Sequence, residues 1–219
     1  LFGGVHPEKG HADDFATDVG LRLTDPPAGW REECAPMPEG KPETYRELHD
    51  AFMRVLRHAV DGAIIQCNRD LWLQSIHRPF PLLSCLIEGC IESGRNMSDG
   101  GALYNFIQPE AVGPSNVVDS LAAIHTLVED RGEYTLDDFR SAIRDNFDGH
   151  DDLHRAVRDC PKHGTDDPLA NRLFGEVAGR WSDFVEGNTN YLGGPFFPGF
   201  LGWTVWIRYG EATPATPDG

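Results

Sequence analysis

The chain has 219 residues, of which 40% are hydrophobic, and this length and composition suit one domain or a large part of one. Thirty-five acidic residues outnumber 19 basic ones, which gives a formal net charge of −16 and argues against nucleic-acid binding, since that needs clustered cations. No apolar run has the length of a membrane span, so we expect neither nucleic acid nor membrane as a partner.

The five cysteines contain no Cys-x-x-Cys pair, and their number is odd. Such a pattern does not suggest a disulfide framework or a structural zinc site. A reducing compartment suits it better, and we therefore expect a cytoplasmic protein.

Residues 1–41 are rich in Gly, Pro and Asp and show little periodicity. They predict an irregular lead-in, and residues 42–219 are expected to hold the helices and strands. After Pro42, apolar residues recur every three or four positions as far as Trp72, which predicts one long helix. His77-Arg78-Pro79 should end it, because a residue before proline disfavours the helical region.

Pro81 to Ser93 predicts a second helix that is apolar on all sides, and we expect it to lie deep in the fold with Gly94 as its C-cap. Gly101 to Ile107 is a short apolar run with aromatic residues, typical of a buried strand. Ser115 is the expected N-cap of a helix that continues to Val128.

Thr135 opens a Thr-x-x-Asp capping box and predicts a helix to about Asn146, followed by a short helix over about 150–158. A longer helix should follow Asp167-Pro168. Phe196 to Tyr209 is rich in aromatic and β-branched residues and predicts one strand, or two strands broken at Gly202. Strands separated by helices indicate an α/β fold with parallel pairing.

His150 and His154 stand four residues apart, as two metal ligands on one helix face would. They lie among Asp148, Asp151 and Asp152 in an expected exposed turn. A metal-dependent hydrolase using 148–154 is therefore one hypothesis, although such pairs are usually surface residues and we assign no metal ligand.

Five segments of the chain follow one another in a recognisable order. They are Pro79-Phe80-Pro81-Leu82-Leu83-Ser84, Gly89-Cys90-Ile91-Glu92-Ser93-Gly94-Arg95-Asn96, Gly100-Gly101-Ala102-Leu103-Tyr104-Asn105, Asn116-Val117-Val118-Asp119-Ser120-Leu121-Ala122-Ala123-Ile124 and Ala215-Thr216-Pro217-Asp218-Gly219. This ordered set resembles the landmarks of the glycyl radical enzymes, the pyruvate formate-lyase and glycyl radical dehydratase–decarboxylase superfamily. The resemblance covers most of the chain and is strongest over 79–131 and 188–219.

The resemblance implies a ten-stranded α/β barrel made of two half-barrels, of which residues 1–219 would be a helix-rich part. It also implies a radical on a glycine in a C-terminal loop, installed by a separate activating enzyme that uses an iron–sulfur cluster and S-adenosylmethionine. We expect that glycine radical domain to lie beyond residue 219, so the chain itself should bind no cofactor.

Gly89-Cys90-Ile91-Glu92 is similar to the family's catalytic cysteine loop, in which Cys90 would form the thiyl radical and Glu92 would act as a base. However, Cys90 falls on the apolar rhythm of the predicted helix, where cysteine behaves as a small hydrophobe. The family also has a second Cys-Ile-Glu, followed by Gly-Arg and a double glycine, which resembles the context here. We therefore expect no catalytic residue in this chain and a catalytic cysteine before Leu1.

Four residues are candidates for lining the substrate cavity. Tyr104 and Asn105 end the predicted strand, although Tyr104 could equally be core and Asn105 could satisfy backbone groups. Leu201 stands where diol dehydratases of the family have tyrosine, and with Trp203 nearby it suggests a less polar wall for an aromatic or carboxylate substrate. Alternatively, Trp203 and Trp206 pack outward under helices.

The resemblance implies part of an anaerobic enzyme that cleaves a C–C, C–O or C–N bond of a small molecule by thiyl-radical hydrogen abstraction, either a lyase, dehydratase or decarboxylase or a formate acetyltransferase-like enzyme. The implied partners are the small-molecule substrate, the activating enzyme and a second copy of the full-length parent, as a homodimer. The fragment alone should be inactive. The alternative is a non-catalytic scaffold or partner subunit that retains this fold.

Overall fold

Helices supply most of the regular structure, and two very short strands lie against them. The computed structural model describes residues 33–202 and 213–219. The helices are α1 (Tyr45–His77), α2 (Pro81–Ser84), α3 (Cys90–Ser93), α4 (Pro114–Ile124), α5 (Leu136–Arg144), α6 (Asp151–Arg158) and α7 (Pro168–Val185), with a 3-10 turn at Met97–Asp99 and a π-helical extension of α4 at His125–Asp130. The strands are β1 (Glu110–Ala111) and β2 (Gly199–Phe200). None of the helices in these ranges has the length and apolar character that crossing a membrane requires.

Helix α1 has 33 residues and runs between the two signals that the sequence carries. At its start the Thr44 hydroxyl accepts from the Glu47 amide at 3.2 Å, and the Glu47 carboxylate accepts from the Thr44 amide in return. Such a reciprocal cap satisfies amides that have no partner within the helix. At its end Arg78 leaves the helical conformation directly before Pro79. The predicted long helix is thus confirmed.

The capping box predicted at Thr135 is confirmed at the start of α5, and α7 follows Asp167 as predicted. The Thr135 hydroxyl accepts from the Asp138 amide at 3.2 Å, and the Asp138 carboxylate accepts from the Thr135 amide at 2.7 Å. The Thr135 hydroxyl also donates to the Asp138 carboxylate at 2.7 Å, and this bond, followed by the one from the Thr135 amide, holds the pKa of the Asp138 carboxyl below its usual value. The Asp167 carboxylate accepts from the Leu169 amide at 2.8 Å at the start of α7. The short helix predicted over about 150–158 is α6.

Helix α4 begins differently from the prediction. Its N-cap is Gly113 in the left-handed conformation and not Ser115, and Pro114 takes the first helical position. Proline suits that position because its fixed φ is helical and the amide that it lacks would have no partner there. Past Ile124 the helix continues with π-helical bonding through Asp130, two residues beyond the predicted end at Val128.

The main core joins α4 to α7. Both helices contribute alanines that are fully buried, and side chains this small let two helices approach closely. The buried residues of this cluster are Val118, Leu121 and Ala122 from α4 with Ala170, Leu173 and Val177 from α7. A second cluster joins the end of α4 to α5 and α6, centred on the buried Phe139, and a third joins α1 and α7 to the strands.

The predicted helix over 81–93 is wrong, because two single-turn helices, α2 and α3, replace it. The break spans residues 85–89 and ends at Gly89, whose φ is +93° and where a Cβ would lie 2.7 Å from the Leu103 nitrogen. The chain around Leu103 therefore passes too close to Gly89 for a larger residue. Gly94 does cap α3 in the left-handed conformation, as predicted. The segment does not lie deep in the fold as predicted, because Cys90 is 3% exposed but Leu82 is 82% and Ile91 68% exposed.

The strand predicted over Gly101–Ile107 is also wrong. Within that run only Ile107 pairs, through a single parallel bridge to Phe196, and the regular strand β1 begins three residues later. Before Ile107 the chain is irregular. There the Leu103 amide donates to the Glu88 carbonyl at 2.9 Å and not to a neighbouring strand. Apolar content alone did not distinguish a strand from an irregular segment of this kind.

The strands β1 and β2 are parallel, as the predicted α/β fold requires. Glu110 is opposite Gly199 and Ala111 is opposite Phe200. The strand predicted over Phe196–Tyr209 is represented by the Phe196 bridge and by β2, and residues 203–209 lie outside the described residues. From the helical layer, the Trp181 indole donates to the Gly199 carbonyl at 3.2 Å.

The described part of the lead-in, residues 33–41, contains no helix or strand, as predicted, and residues 1–32 lie outside the described ranges. It is held on α1 by Asp61, which is only 1% exposed. The Asp61 carboxylate accepts from the Ala35 amide at 2.9 Å and pairs with Arg57 at 3.0 Å. A buried carboxylate needs such partners, because an unpaired buried charge is costly.

Residues 213–219 are docked on the helices near α4 and α6. The Ser120 and Thr216 hydroxyls donate to the Asp218 carboxylate at 3.0 and 2.6 Å, and Lys162 donates to the Asp218 carbonyl at 3.1 Å. Pro217 is among the most deeply buried side chains. The Pro-Asp-Gly segment therefore closes onto the helical layer.

We expect replacement of Tyr45 by Phe to raise the free energy of unfolding by about 1 kcal/mol, because a buried hydroxyl without a partner opposes folding. Among the described residues, the buried Tyr45 hydroxyl has no hydrogen-bond partner, and burial, with a smaller effect of Glu176, raises its pKa from 10.0 to about 12. Because the hydroxyl ionises more easily in the unfolded chain than in the folded one, wild type should lose stability as the pH rises from about 10 to about 12, and Tyr45→Phe should not show this loss.

Chemical denaturation of the full-length protein at pH 7 and at alkaline pH measures both effects. Tyr191→Phe is the matched control, since the Tyr191 hydroxyl lies 3.0 Å from Ser75 Oγ and donates to Asp99. The control should lose about 1 kcal/mol. An equal loss in both variants would contradict the expectation.

Candidate functional site

The strand pair and the residues that precede it have two faces of different character. Ile107 and Phe196 pack with Val60, Ile64 and Val185 of the helices, and Phe196 is only 2% exposed. Phe106 and Phe197, one residue before and after this bridge, are 55% and 49% exposed and contact each other with ring centroids 5.8 Å apart. Since successive side chains of a strand point to opposite faces, the pair has one face against the helices and one open face.

Tyr104 lies on the exposed side of this region and is 77% exposed, so it is not a core residue in the described structure. Asn105 follows it and is half-buried. Its side-chain amide donates to the Ala102 carbonyl at 2.7 Å and to the Gly100 carbonyl at 3.4 Å, so its donors hold the turn that follows the double glycine. A role for either residue in lining a cavity remains a prediction.

Leu201 extends β2 by one residue, because its amide donates to the Ala111 carbonyl at 3.1 Å. It is half-buried and lies two positions after Gly199, on the same strand face by alternation. Trp203, the fourth predicted lining residue, and Trp206 lie outside the described residues. The structure therefore brings Leu201 to the strand pair that follows Tyr104 and Asn105, and its substrate role also remains a prediction.

A buried asparagine that the sequence reasoning missed connects the two strand segments. Asn190 is 3% exposed, and its side-chain amide donates to the Asn105 carbonyl at 2.7 Å and to the Pro195 carbonyl at 3.2 Å. Its side-chain oxygen accepts from the amides of Leu192 and Gly194 at 2.9 and 3.3 Å. We call Asn190 with these four partners the Asn190 junction. The available signal was an asparagine-rich loop and a glycine pair directly before the predicted last strand.

Helix α1 holds the same loop from the other side. The Asn68 side chain accepts from the Tyr191 amide at 2.8 Å and donates to the Thr189 carbonyl at 3.3 Å. Ser75, two turns further along α1, lies 3.0 Å from the Tyr191 hydroxyl, which also reaches Asp99. Buried polar side chains that are satisfied in this way fix a single backbone arrangement.

Close backbone approach makes Gly194 irreplaceable at this point. A Cβ added to Gly194 would overlap the Asn105 carbonyl oxygen, which is the atom that Asn190 binds. Backbone atoms cannot move aside as the end of a flexible side chain can. Gly194 thus serves the packing of the two strand segments, and the glycine pair has no nucleotide-binding spacing.

Cys90 is buried, as its position on the apolar rhythm predicted, and is 3% exposed. The Glu92 carboxylate accepts from the Gly89 amide at 3.1 Å and so caps α3. Cys67, on α1, packs in the core under the strands, and burial together with Asp70 raises the pKa of its thiol. A raised pKa keeps a thiol protonated, whereas a reactive thiolate requires a lowered one.

The histidine pair in 148–154 does not form a metal site with its neighbours. His150 Nε2 lies 3.2 Å from an Asp145 oxygen, and the His154 ring stacks on Phe147 at 4.7 Å. Within residues 33–202 and 213–219, no group of three or more His, Cys, Asp or Glu side chains is placed to hold a metal ion. The two histidines instead contact the surface and core of the α5–α6 region.

The comparisons with known proteins agree with this geometry. Residues 32–210 match the model of the family described as pyruvate formate lyase-like. The chain belongs to this family. Its fold is therefore a helix-rich part of the ten-stranded α/β barrel of glycyl radical enzymes, as predicted from the resemblance.

Individual relatives are also glycyl radical enzymes. The chain is 32% identical over 181 residues to trans-4-hydroxy-L-proline dehydratase of Clostridioides difficile, covering 81% of this chain and 23% of the relative. It is 26% identical over 210 residues to indoleacetate decarboxylase of Tractidigestivibacter scatoligenes, covering 81% and 23%. The crystal structure of a glycyl radical enzyme from Archaeoglobus fulgidus matches with a TM-score of 0.77 and 33% identity, covering 82% of this chain and 23% of that one.

The chain thus spans less than a quarter of the length of the curated relatives that it matches. Dehydratases and a decarboxylase occur among these relatives, so the family relationship indicates the general kind of enzyme. Within the barrel, the Asn190 junction and the helices determine how the two parallel strand segments of this chain are held.

We expect Gly194→Ala to lower the free energy of unfolding by more than about 2 kcal/mol, because the new methyl group would displace the Asn105 carbonyl from the Asn190 junction. Hydrogen exchange in the full-length protein measures the local effect. The Ile107 and Phe197 amides, which bond across the strands, should lose protection.

Gly179→Ala is the matched control for this substitution. Gly179 lies in α7 with no atom within 4 Å of an added Cβ, so alanine there should stabilise the helix by up to about 1 kcal/mol. Unchanged exchange at Ile107 and Phe197 in Gly194→Ala would show that the close approach does not govern the strand pairing.

Proposed function

We propose that this chain is one part of the barrel of an anaerobic glycyl radical enzyme that cleaves a C–C, C–O or C–N bond of a small organic substrate. The observation that carries the proposal is the family match over 32–210 together with a parallel strand pair that has helices on one face only. In such an enzyme a thiyl radical takes hydrogen from the substrate inside a closed cavity. The protein supplies orientation and exclusion of water, and the radical supplies the difficult chemistry.

The open face of the strand pair supports a position inside a larger barrel. Large apolar residues of the preceding segments are also exposed, and exposed apolar surface of this kind marks a region that another part of a protein covers. In the described ranges each strand has a neighbouring strand on one side only, so further strands would complete its other edge. The exposed residues are Leu82, Leu86, Ile91, Leu103, Tyr104, Phe106 and Phe197. The remaining polypeptide of a full-length enzyme would cover them.

The two hydrogen-transfer residues of the enzyme are proposed to lie outside this chain. Cys90 is buried, and Glu92 is engaged in capping α3, so this Cys-Ile-Glu element is suited to structure rather than to radical transfer. The catalytic cysteine would precede Leu1, and the radical glycine would follow residue 219. The chain by itself would then be inactive and would bind no cofactor.

Tyr104, Asn105, Leu201 and Trp203 are proposed to contribute to the substrate cavity. Tyr104 offers an exposed phenol, whereas Leu201 offers no hydrogen bond to a substrate hydroxyl. A site built to hydrogen-bond hydroxyl groups discriminates strongly against substrates that lack them, whereas an apolar wall rejects an added hydroxyl only weakly. An aromatic or carboxylate substrate therefore suits this wall better than glycerol or propanediol.

The proposed partners are an activating enzyme with an iron–sulfur cluster and S-adenosylmethionine, and a second copy of the full-length protein in a cytoplasmic homodimer. A formate acetyltransferase-like reaction belongs to the same proposal, since the family match does not distinguish it. The exposed apolar surface also suits a second candidate function, a non-catalytic scaffold subunit that binds another chain.

The test uses the full-length protein, activated without oxygen by its activating enzyme. We expect a glycyl radical signal in electron paramagnetic resonance and turnover of a carboxylate or aromatic substrate in a panel with hydroxyproline, arylacetates, glycerol and 1,2-propanediol. A preference for glycerol or propanediol would contradict the proposal that Leu201 gives the substrate cavity an apolar wall. Absence of both the signal and turnover, with another chain co-purifying, would support the scaffold subunit instead.

Cys90→Ala should keep the radical signal and keep turnover within about twofold, at a cost in stability of about 1 kcal/mol for the lost buried sulfur. The matched control replaces the cysteine of the expected upstream Gly-Cys-x-Glu loop by alanine. That variant should form the glycyl radical and lose turnover completely. If Cys90→Ala abolished turnover while the radical signal stayed intact, the structural assignment of Cys90 would be wrong.

A further inference from the structure

A cleft that no part of the proposed reaction uses opens on the helical layer. It has a volume of about 940 Å³ and lies where the π-helical end of α4, the end of α6 and the start of α7 meet. Its walls come from these helices and the loops between them, and no residue of β1 or β2 lines it. Any ligand of this cleft is therefore separate from the open face of the strand pair.

Four cationic side chains line the cleft, in a chain whose net charge is −16. Arg131 directly follows the π-helical segment, Arg158 ends α6, Lys162 lies in the loop after it, and Arg172 lies in the second turn of α7. The three arginines are exposed and come from three different elements. They therefore approach the same space from different sides.

Four arginines elsewhere in the described ranges form ion pairs with aspartates. Arg57, Arg95, Arg140 and Arg155 each pair with an aspartate three or four residues away. In the described ranges, by contrast, none of Arg131, Arg158 and Arg172 has a carboxylate at ion-pair distance. Other exposed arginines, such as Arg54 and Arg78, also have no carboxylate at ion-pair distance in the described ranges, so these three are distinguished by lining one cleft together.

The acidic residues of the cleft do not neutralise this group. Asp130 lies 3.1 Å from His125 Nδ1, and the Asp167 carboxylate accepts from the amides at the start of α7. Only Asp159 remains among the carboxylates that line the cleft. Because Asp167 already covers the helix N-terminus, an incoming anion would be bound by the side chains and not by those amides.

Helix dipoles do not account for the arrangement either. A cation at the end of α6, such as Arg158, is favoured by the carbonyls there. Arg172 lies in the second turn of α7, beyond the first turn to which the dipole effect is confined, so the dipole does not favour a positive charge there.

We propose that this cleft binds a small polyanion with two or more phosphate or carboxylate groups, held by Arg131, Arg158 and Arg172. Guanidinium groups bind the oxygens of both anion types in a two-pronged geometry, and three of them around one space suit a ligand with more than one anionic group. Such a ligand would join α4, α6 and α7 at their ends. The proposal is independent of the radical reaction.

Isothermal titration calorimetry on the full-length protein tests it, with pyrophosphate and citrate as separate probes. About 0.1 M potassium chloride screens general attraction, since the Debye length is then about 10 Å. We expect saturable binding of at least one probe. Pyrophosphate alone would assign a phosphate ligand, citrate alone a carboxylate ligand, and both would support the shared chemistry.

The double variant Arg131→Gln/Arg172→Gln should bind the probe at least tenfold more weakly. Arg54→Gln/Arg78→Gln is the matched control, because it removes the same charge from exposed positions on and just after α1 that do not line the cleft. Its affinity should stay within twofold of wild type. No saturable binding by wild type at millimolar probe, or an equal loss in both double variants, would overturn the proposal.

Discussion

The strand pair depends on one buried side chain. Two strands of two residues each cannot hold their own register, because isolated short strands are marginally stable in water. Asn190 holds the two segments in register. Its side-chain amide donates to the carbonyls of Asn105 and Pro195, just before the first bridge between the segments. Asn68 then fixes the loop that carries Asn190 to α1. Through these contacts the helical layer determines where the barrel strands lie.

The two faces of the strand pair differ in burial. Phe196 is buried against α1 and α7, whereas its neighbour Phe197 is half exposed on the other side. Alternation along a strand makes such a division unavoidable once helices cover one face. The open face is where a substrate cavity would form, and the helical face carries the packing energy. The cleft lined by Arg131, Arg158 and Arg172 has walls from the helices and the loops between them, and no residue of either strand lines it.

Prediction from the sequence succeeded where a structure depends on nearby residues. The caps at Thr44, Thr135 and Asp167 act within a few residues of themselves, and the helices that they begin were all found. It failed over 81–93, where a break at Gly89 is needed to admit the chain near Leu103. It failed again before Ile107, because apolar and aromatic residues occur in exposed irregular segments as well as in buried strands.

The sequence by itself determined the family, the long helices and the burial of Cys90, because ordered motifs, caps and apolar periodicity are all local properties of the chain. Only the tertiary structure decided that Asn190 joins the strand segments and that three arginines from separate elements meet at one cleft. These are contacts between residues far apart in the chain. Their formation depends on how the helices pack, and no spacing along the sequence encodes that packing directly.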